Sequence, residues 1–157
     1  MKKIISLLIC ILIIVFLCLL NSCSPAKLSK EKPSNHYYFT KLANNITISK
    51  KVKLNILDTN FYKNKSIKEE DLSTIINFMN NLKVTNFIKK PFNLPQKPEY
   101  KIFLELEGEK YVINVYNEKY ISIFPWDGNY SMDYIDMSSI YTAYNLHGFC
   151  KYLIYMK

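Results

Sequence analysis

The stretch 100-YKIFLELEGEKYVINV-115 decides the fold that this sequence predicts. Apolar side chains occupy every second position of residues 100–107, and a period of two is typical of a strand with one buried face. Gly108 follows, and glycine readily adopts the positive φ that a tight hairpin turn needs. Because residues 111–115 repeat the alternation, the stretch predicts an antiparallel hairpin.

An amphipathic helix is predicted on the N-terminal side of this hairpin. Ser66 and Glu69 have the spacing of a capping box, and acidic residues fill the first turn, where the helix dipole favours anions. Apolar side chains then recur at helical spacing, at Leu72, Ile75, Ile76, Met79 and Leu82. The pattern predicts a helix over residues 68–81 that packs on a sheet.

Shorter segments of the chain complete the expected domain. Asp136 or Ser138 can cap a final helix around residues 139–146, which Gly148 can end. Further strands are expected at residues 37–42, 45–56 with a reversal near 49–51, 120–124, 130–135 and 149–157. We therefore expect an α+β fold, with an antiparallel sheet of about five or six strands and two helices packed on one face.

The first 23 residues have the organisation of an export signal. Two lysines precede an apolar run over residues 4–20, and the small residue Ser22 precedes Cys23, as in a secretory signal peptide. Leu20-Asn21-Ser22-Cys23 resembles the lipobox of bacterial lipoproteins, whose cysteine is lipidated and becomes the mature N-terminus. We predict a signal peptide over residues 1–22, lipidation of Cys23 and a location on the extracytoplasmic face of the cell membrane.

An uncleaved membrane anchor and conventional secretion are the alternatives for this segment. The 17 residues of the apolar run span roughly 25 Å as a helix, which is short of a hydrocarbon core of about 30 Å. Length therefore favours the lipoprotein over a membrane-spanning helix.

Composition bounds the rest of the chain. The 157 residues less the 22 of the signal leave 135, which suits one domain with a substantial core. We expect a flexible tether over residues 23–36 and a single domain over residues 37–157. Between positions 24 and 68, ten lysines accompany two acidic residues, so this part could meet an anionic surface or remain a solvated tail. All 21 basic residues are lysine, and with no arginine and no recognisable motif, nucleic acid is not an expected partner.

Few groups of residues in this sequence could form a catalytic or metal-binding site. His147 and Cys150 form a His-x-x-Cys pair, but a zinc site needs three or four ligands. The same pair could serve a thiol nucleophile if the histidine activated the cysteine, although an inert buried thiol is the simpler interpretation. Three glycines in the whole chain exclude phosphate-cradling loops. No catalytic residue, metal site or cofactor is predicted.

Four aromatic residues form the candidate partner-binding group: Phe124, Trp126, Tyr130 and Tyr134. Tryptophan and tyrosine bury large amphipathic surfaces at protein interfaces, and flat rings can stack on sugars. Ordinary packing of a turn and of the core is the alternative for these residues.

Several stretches carry a resemblance to a known family. Residues 68–72, 80–83, 120–123 and 134–136, together with the lipobox, resemble small lipoproteins of low-GC Gram-positive bacteria that carry a domain of unknown function. The resemblance implies a lipid-anchored surface protein, and it brings no catalytic or binding residues with it.

The function we expect is that of a non-enzymatic binding or accessory lipoprotein, held at the membrane by lipid, whose partner is a protein or a cell-envelope component. The main alternative is an inhibitor or immunity-type regulator of an exported enzyme, with a projecting loop near residues 89–97. A small thiol-dependent hydrolase using Cys150 and His147 is the third.

Overall fold

The computed structural model describes residues 31–157, and these form one seven-stranded antiparallel sheet with three α-helices. The strands lie in the order β2-β1-β4-β5-β6-β7-β3 across the sheet. The strands are β1 Lys53–Asp58, β2 Asn64–Ile67, β3 Phe87–Ile88, β4 Tyr100–Leu106, β5 Glu109–Val115, β6 Tyr120–Pro125 and β7 Asp133–Asp136. The helices are α1 Tyr37–Ile48, α2 Glu69–Asn81 and α3 Leu146–Tyr155, with short 3₁₀ turns at Val84–Asn86 and Thr142–Tyr144.

Strand register assigns the side chains to two faces. Buried apolar residues align across neighbouring strands, as in the row Ile56, Ile102, Ile113 and Ile123. These residues share one core with Leu42 of α1, Phe78 of α2 and Phe149 of α3. All three helices therefore pack on the same face, and the intervening strand residues lie on the opposite face.

The predicted α+β class and the hairpin are confirmed. β4 and β5 pair from Tyr100↔Val115 to Leu106↔Glu109, and Gly108 between them has φ +84°. The sheet has seven strands instead of the expected five or six, and the described residues form three α-helices instead of two.

The strands expected over residues 37–42 and 45–48 are wrong, because this segment forms α1. Tyr38, Leu42 and Ile46 are buried at a spacing of four residues. They form one apolar stripe along the helix, and this stripe packs on the sheet. Ile48, which the alternating pattern placed beside Ile46, is 77% exposed. Within residues 45–56, the alternating apolar pattern predicts a strand correctly only from the start of β1 at Lys53.

The helix predicted over residues 68–81 is confirmed as α2, with its acidic first turn. The predicted capping box is wrong, since the N-cap residue is Lys68 and it makes no side-chain cap bond. Ser66 belongs to β2 instead, where its hydroxyl donates to Asn55 Oδ1 at 2.8 Å. β2 pairs with β1 at the sheet edge.

The C-terminal elements also differ from the prediction. The expected helix over residues 139–146 and the closing strand over 149–157 are replaced by a 3₁₀ turn and by α3. Asn145 caps α3, because its Oδ1 accepts the backbone N–H of His147 at 3.0 Å and of Gly148 at 3.4 Å. Gly148, which was expected to end a helix over residues 139–146, therefore lies in the first turn of α3 instead.

The signal peptide over residues 1–22, Cys23 and the first part of the predicted tether lie outside the described residues. Later tether residues bond to the domain: Lys32 Nζ lies 2.5 Å from the buried Asp133 carboxylate, and Asn35 Nδ2 donates to the Phe87 carbonyl at 3.1 Å. Within residues 31–157, no helix combines the length and apolar character needed to cross a membrane.

Candidate binding groove

A surface groove of about 640 Å³ lies where β6 ends, on the face opposite the helices. Its most prominent side chain is Trp126, which is 70% exposed although it directly follows a buried proline. The Trp126 N–H donates to the Lys110 carbonyl at 2.8 Å, so the residue continues the ladder between β5 and β6. The backbone of Trp126 is therefore held by the sheet, and its aromatic ring is open to solvent.

The floor and walls of the groove come from β1, β4 and β5. Phe103 lies half-buried beside Asn55, its partner on β1. Lys53, Glu105 and Lys110 form the next row, in which Lys110 Nζ is 3.5 Å from Glu105 Oε1. Because both members of that ion pair are at least half exposed, it adds little stability and the ammonium groups remain accessible.

The turn after β6 fixes the position of Trp126. The Gly128 N–H donates to the Pro125 carbonyl at 3.2 Å. Tyr38 of α1 then binds the end of the turn, since its hydroxyl accepts the Tyr130 N–H at 2.6 Å and donates to the Tyr130 carbonyl at 3.3 Å. Burial raises the pKa of Tyr38 above its ordinary value, so the hydroxyl stays protonated. Through Tyr38, the turn that carries Trp126 is therefore hydrogen-bonded to α1 on the helical face of the sheet.

A polar cluster on the helical face lies below the hairpin turn. Glu109 accepts a hydrogen bond from Asn45 Nδ2 at 2.7 Å and another from the Tyr111 hydroxyl, and it pairs with Lys41. Burial raises the pKa of Glu109, but the bonds from Lys41, Tyr111 and Asn45 outweigh burial and leave that pKa below its usual value. Glu109 therefore anchors α1 to β5 and takes no part in the groove.

The four predicted aromatic residues lie in three different places. Trp126 lines the groove, and Phe124 lies half-buried on the same face beside the buried Val112. Tyr134 lines a second groove at the β7–β3 edge. Tyr130 packs against Tyr37, with ring centroids 5.4 Å apart. Phe124 and Tyr134 share one face of the sheet, because Tyr134 pairs with Ser122, but Trp126 and Tyr134 line different grooves. The partner-binding role of the four residues stays a prediction.

Sequence reasoning missed the residues that surround Trp126, namely Lys53, Asn55, Phe103 and Lys110. One signal was available. Phe103 is the aromatic residue among the polar positions of its strand, between Lys101 and Glu105, and this break in the alternating pattern was the feature that could have drawn attention to it. Lys53 and Asn55, the groove residues from β1, have no comparable feature in the sequence.

His147 and Cys150, the pair considered for thiol chemistry, both lie in the first turns of α3. Cys150 is fully buried, and burial raises the pKa of its thiol far above the ordinary value, which opposes formation of the nucleophilic thiolate. His147 Nε2 lies 2.8 Å from Glu99 Oε2, and its ring packs on Tyr100. Among residues 31–157, no group of three or more His, Cys, Asp or Glu side chains could hold a metal ion.

The fold and groove define a small α+β domain that carries its helices on one face of a single antiparallel sheet and a surface groove on the other. A family model described as "Domain of unknown function (DUF4883)" matches residues 32–150. The chain belongs to this DUF4883 family.

One solved structure is similar to this chain over most of its length. The crystal structure of a "Putative Lipoprotein from Clostridium perfringens" is similar to this chain, with a TM-score of 0.71 and 36% sequence identity. The similarity covers 78% of this chain and 97% of that one. A comparison with curated proteins finds no match.

Proposed function

We infer that this protein is a lipid-anchored extracytoplasmic lipoprotein whose domain binds a glycan of the cell envelope, without catalysis, in the groove beside Trp126. The anchor is Cys23, and residues 1–22 are the signal peptide that export removes. The similarity to a clostridial protein described as a lipoprotein supports this location, as does the export signal in the sequence.

The exposed ring of Trp126 is the observation that carries the binding proposal. A flat aromatic surface stacks on the apolar face of a sugar ring, while groups around it bond the hydroxyls. Asn55 offers an amide, and Lys53 and Lys110 offer ammonium groups at the rim of the same groove. This combination suits an anionic or amide-bearing glycan better than an apolar ligand.

The environment of the thiol favours a binding role over hydrolysis. A nucleophilic cysteine needs a depressed pKa and access to its substrate, whereas Cys150 is fully buried with a raised pKa. Its neighbour in sequence, His147, is engaged by Glu99. Both features point to a structural role for this pair.

The location is tested by the intact mass of the native protein together with membrane fractionation. Wild-type protein is expected to begin at Cys23, to carry lipid and to fractionate with the membrane. A Cys23→Ala variant is expected to lose the mass of the lipid and to accumulate unprocessed. Retention of residues 1–22 without lipid would show that the segment is an ordinary membrane anchor.

The groove is tested with purified cell-wall sacculi and soluble fragments released from them. Because the chain has one tryptophan, its fluorescence reports directly on the proposed site. We expect a saturable change of emission with the fragments, and retention of the protein on sacculi that Trp126→Ala reduces at least tenfold.

Tyr141→Ala is the matched control for this experiment, since Tyr141 is 71% exposed and does not line the groove. Equal retention of wild type and Trp126→Ala on sacculi, with no change of emission, contradicts the glycan proposal. A partner that is a protein would then be sought on the same surface.

A further inference from the structure

The most exposed large apolar side chain of the described residues belongs to Phe92. It lies at the tip of a turn, because the Leu94 N–H donates to the Pro91 carbonyl at 3.3 Å and Phe92 and Asn93 occupy the positions between them. An ordered turn that holds a phenylalanine ring entirely in water gives up the favourable free energy of burying it. A single exposed ring is common on protein surfaces, so the surroundings of Phe92 decide what it can contact.

The charge around this turn is positive. Lys89 and Lys90 directly precede it, and both are exposed. Residues 83–98 contain four lysines and no acidic residue. An exposed aromatic ring beside basic side chains matches the chemistry of an anionic bilayer, whose interface accepts the ring while its phosphates attract the ammonium groups.

The chain enters the domain beside this turn. A groove of about 400 Å³ is lined by Lys32 and Asn35 from the entering segment, by Ile88, Lys89 and Lys90, and by Tyr134. Asn35 also bonds to the carbonyl of Phe87, just before the basic pair. The segment that leads to the proposed anchor and the basic turn therefore belong to one end of the domain.

Chain length keeps this end close to the membrane. Nine residue steps separate Cys23 from Lys32, and they span at most about 30 Å when fully extended. With Cys23 in the bilayer, the turn is held at high effective concentration near the lipid surface, so a weak interaction is sufficient for docking.

We propose that residues 89–93 dock the domain on the anionic membrane surface, with Phe92 inserted among the head groups and Lys89 and Lys90 on lipid phosphates. The proposal rests on the lipid anchoring inferred above and adds the orientation of the domain. Tyr134, one of the four aromatic residues singled out in the sequence, lies at the edge of this docking surface, and tyrosine is favoured at membrane interfaces.

The test uses the full chain reconstituted in phosphatidylcholine vesicles, with or without a quarter of phosphatidylglycerol. Phe92→Trp in a Trp126→Phe background places the sole tryptophan at the tip of the turn. Phe61→Trp in the same background is the matched control, since Phe61 is another exposed phenylalanine, 70% exposed, in the turn between β1 and β2. Emission wavelength and quenching by brominated lipids report on insertion, and flotation of the vesicles reports on anchoring.

Emission from position 92 is expected to shift to shorter wavelength and to be quenched in the anionic vesicles, whereas position 61 stays in water. Adding Lys89→Glu and Lys90→Glu is expected to reduce the docked fraction relative to the undocked one by at least tenfold, because each lysine contributes about fivefold to binding near an anionic surface.

Protein that floats with the vesicles but is quenched no more at position 92 than at position 61 overturns the docking and leaves the anchor intact. The turn would then be available for a protein partner. Equal quenching in neutral vesicles overturns the role of the lysines. Failure of the chain to float overturns the anchor and the docking together.

Discussion

The hydroxyl of Tyr38 satisfies both backbone groups of Tyr130, accepting its N–H at 2.6 Å and donating to its carbonyl at 3.3 Å. One side chain of the first helix therefore holds a turn 92 residues further along the chain. Trp126 belongs to the same turn, so the position of the groove depends on the packing of α1. This link between the two faces of the domain can be tested without knowledge of the ligand.

Tyr38→Phe is expected to lower the free energy of unfolding by about 1–3 kcal/mol, because it leaves a half-buried N–H and carbonyl without their partner. It is also expected to lower the fluorescence anisotropy of Trp126 as the turn loosens. Urea unfolding and steady-state anisotropy measure the two effects. Tyr141→Phe removes an exposed hydroxyl and should change neither the stability nor the anisotropy. A Tyr38→Phe protein with wild-type anisotropy would show that the turn keeps its conformation without the bonds from Tyr38.

Gly128→Ala and Gly148→Ala are expected to have opposite signs. A Cβ at position 128 would lie 2.9 Å from the Tyr38 hydroxyl oxygen and 3.1 Å from Pro125 Cγ, whereas a Cβ at position 148 meets nothing within 4 Å. The first substitution should destabilise by about 1–3 kcal/mol through overpacking. The second should stabilise α3 by up to about 1 kcal/mol through helix propensity. Thermal unfolding of both variants measures the contrast, and a stabilised Gly128→Ala protein would contradict this packing.

The sequence predicts secondary structure correctly where the spacing of its apolar residues fits only one type of element, a helix or a strand. Residues 100–115 alternate, carry a glycine at the turn and pair locally, and the hairpin follows from these features. α1 was missed because residues 37–56 satisfy two periods at once. Tyr38, Leu42 and Ile46 have helical spacing while Ile46 and Ile48 alternate, and only packing against the sheet decides between them.

The groove was less predictable than the fold for a physical reason. Trp126 could be singled out from its residue type, but its neighbours Asn55 and Phe103 come together only through the pairing of β1 with β4. That pairing joins segments almost 50 residues apart, and no local pattern specifies its register. α3 was missed because residues 149–157 are apolar without a clear period and Gly148 suggested a stop.

The polar cluster at Glu109 predicts a stability that depends on pH. Its folded-state pKa lies below the usual value, so the stabilisation is fully present above the usual carboxyl range and is lost as the pH falls through the folded-state pKa. Glu109→Gln should therefore destabilise at neutral pH, by roughly 1–2 kcal/mol, and the difference from wild type should shrink at acid pH. Urea unfolding at both pH values measures this.

The neighbouring Glu107→Gln is the control for that experiment, because Glu107 is exposed in the hairpin turn. It should change stability little at either pH. A difference between Glu109→Gln and wild type that stays constant with pH would mean that the carboxylate contributes packing rather than charge.

The last turn of α3 is tied to the end of β1 by the Tyr155 hydroxyl, which donates to Asp58 Oδ2. Asp58 is almost fully buried and also accepts the N–H groups of Asn60 and Phe61 at 2.8 Å and 3.0 Å. Burial raises the pKa of Asp58, but these bonds outweigh it and keep that pKa below its ordinary value. The carboxylate is therefore charged in the folded protein and needs all its donors.

Tyr155→Phe is expected to lower the free energy of unfolding by about 1.5–3 kcal/mol, the range for a hydrogen bond to a charged group. It should also raise the pKa of Asp58, so that stability begins to fall at a higher pH on acidification. Tyr152→Phe, a substitution of a half-exposed tyrosine in the same helix, provides the comparison. Because both variants keep the ring, equal stability of the two across the acid range would show that Asp58 is satisfied by the backbone N–H groups of its own turn.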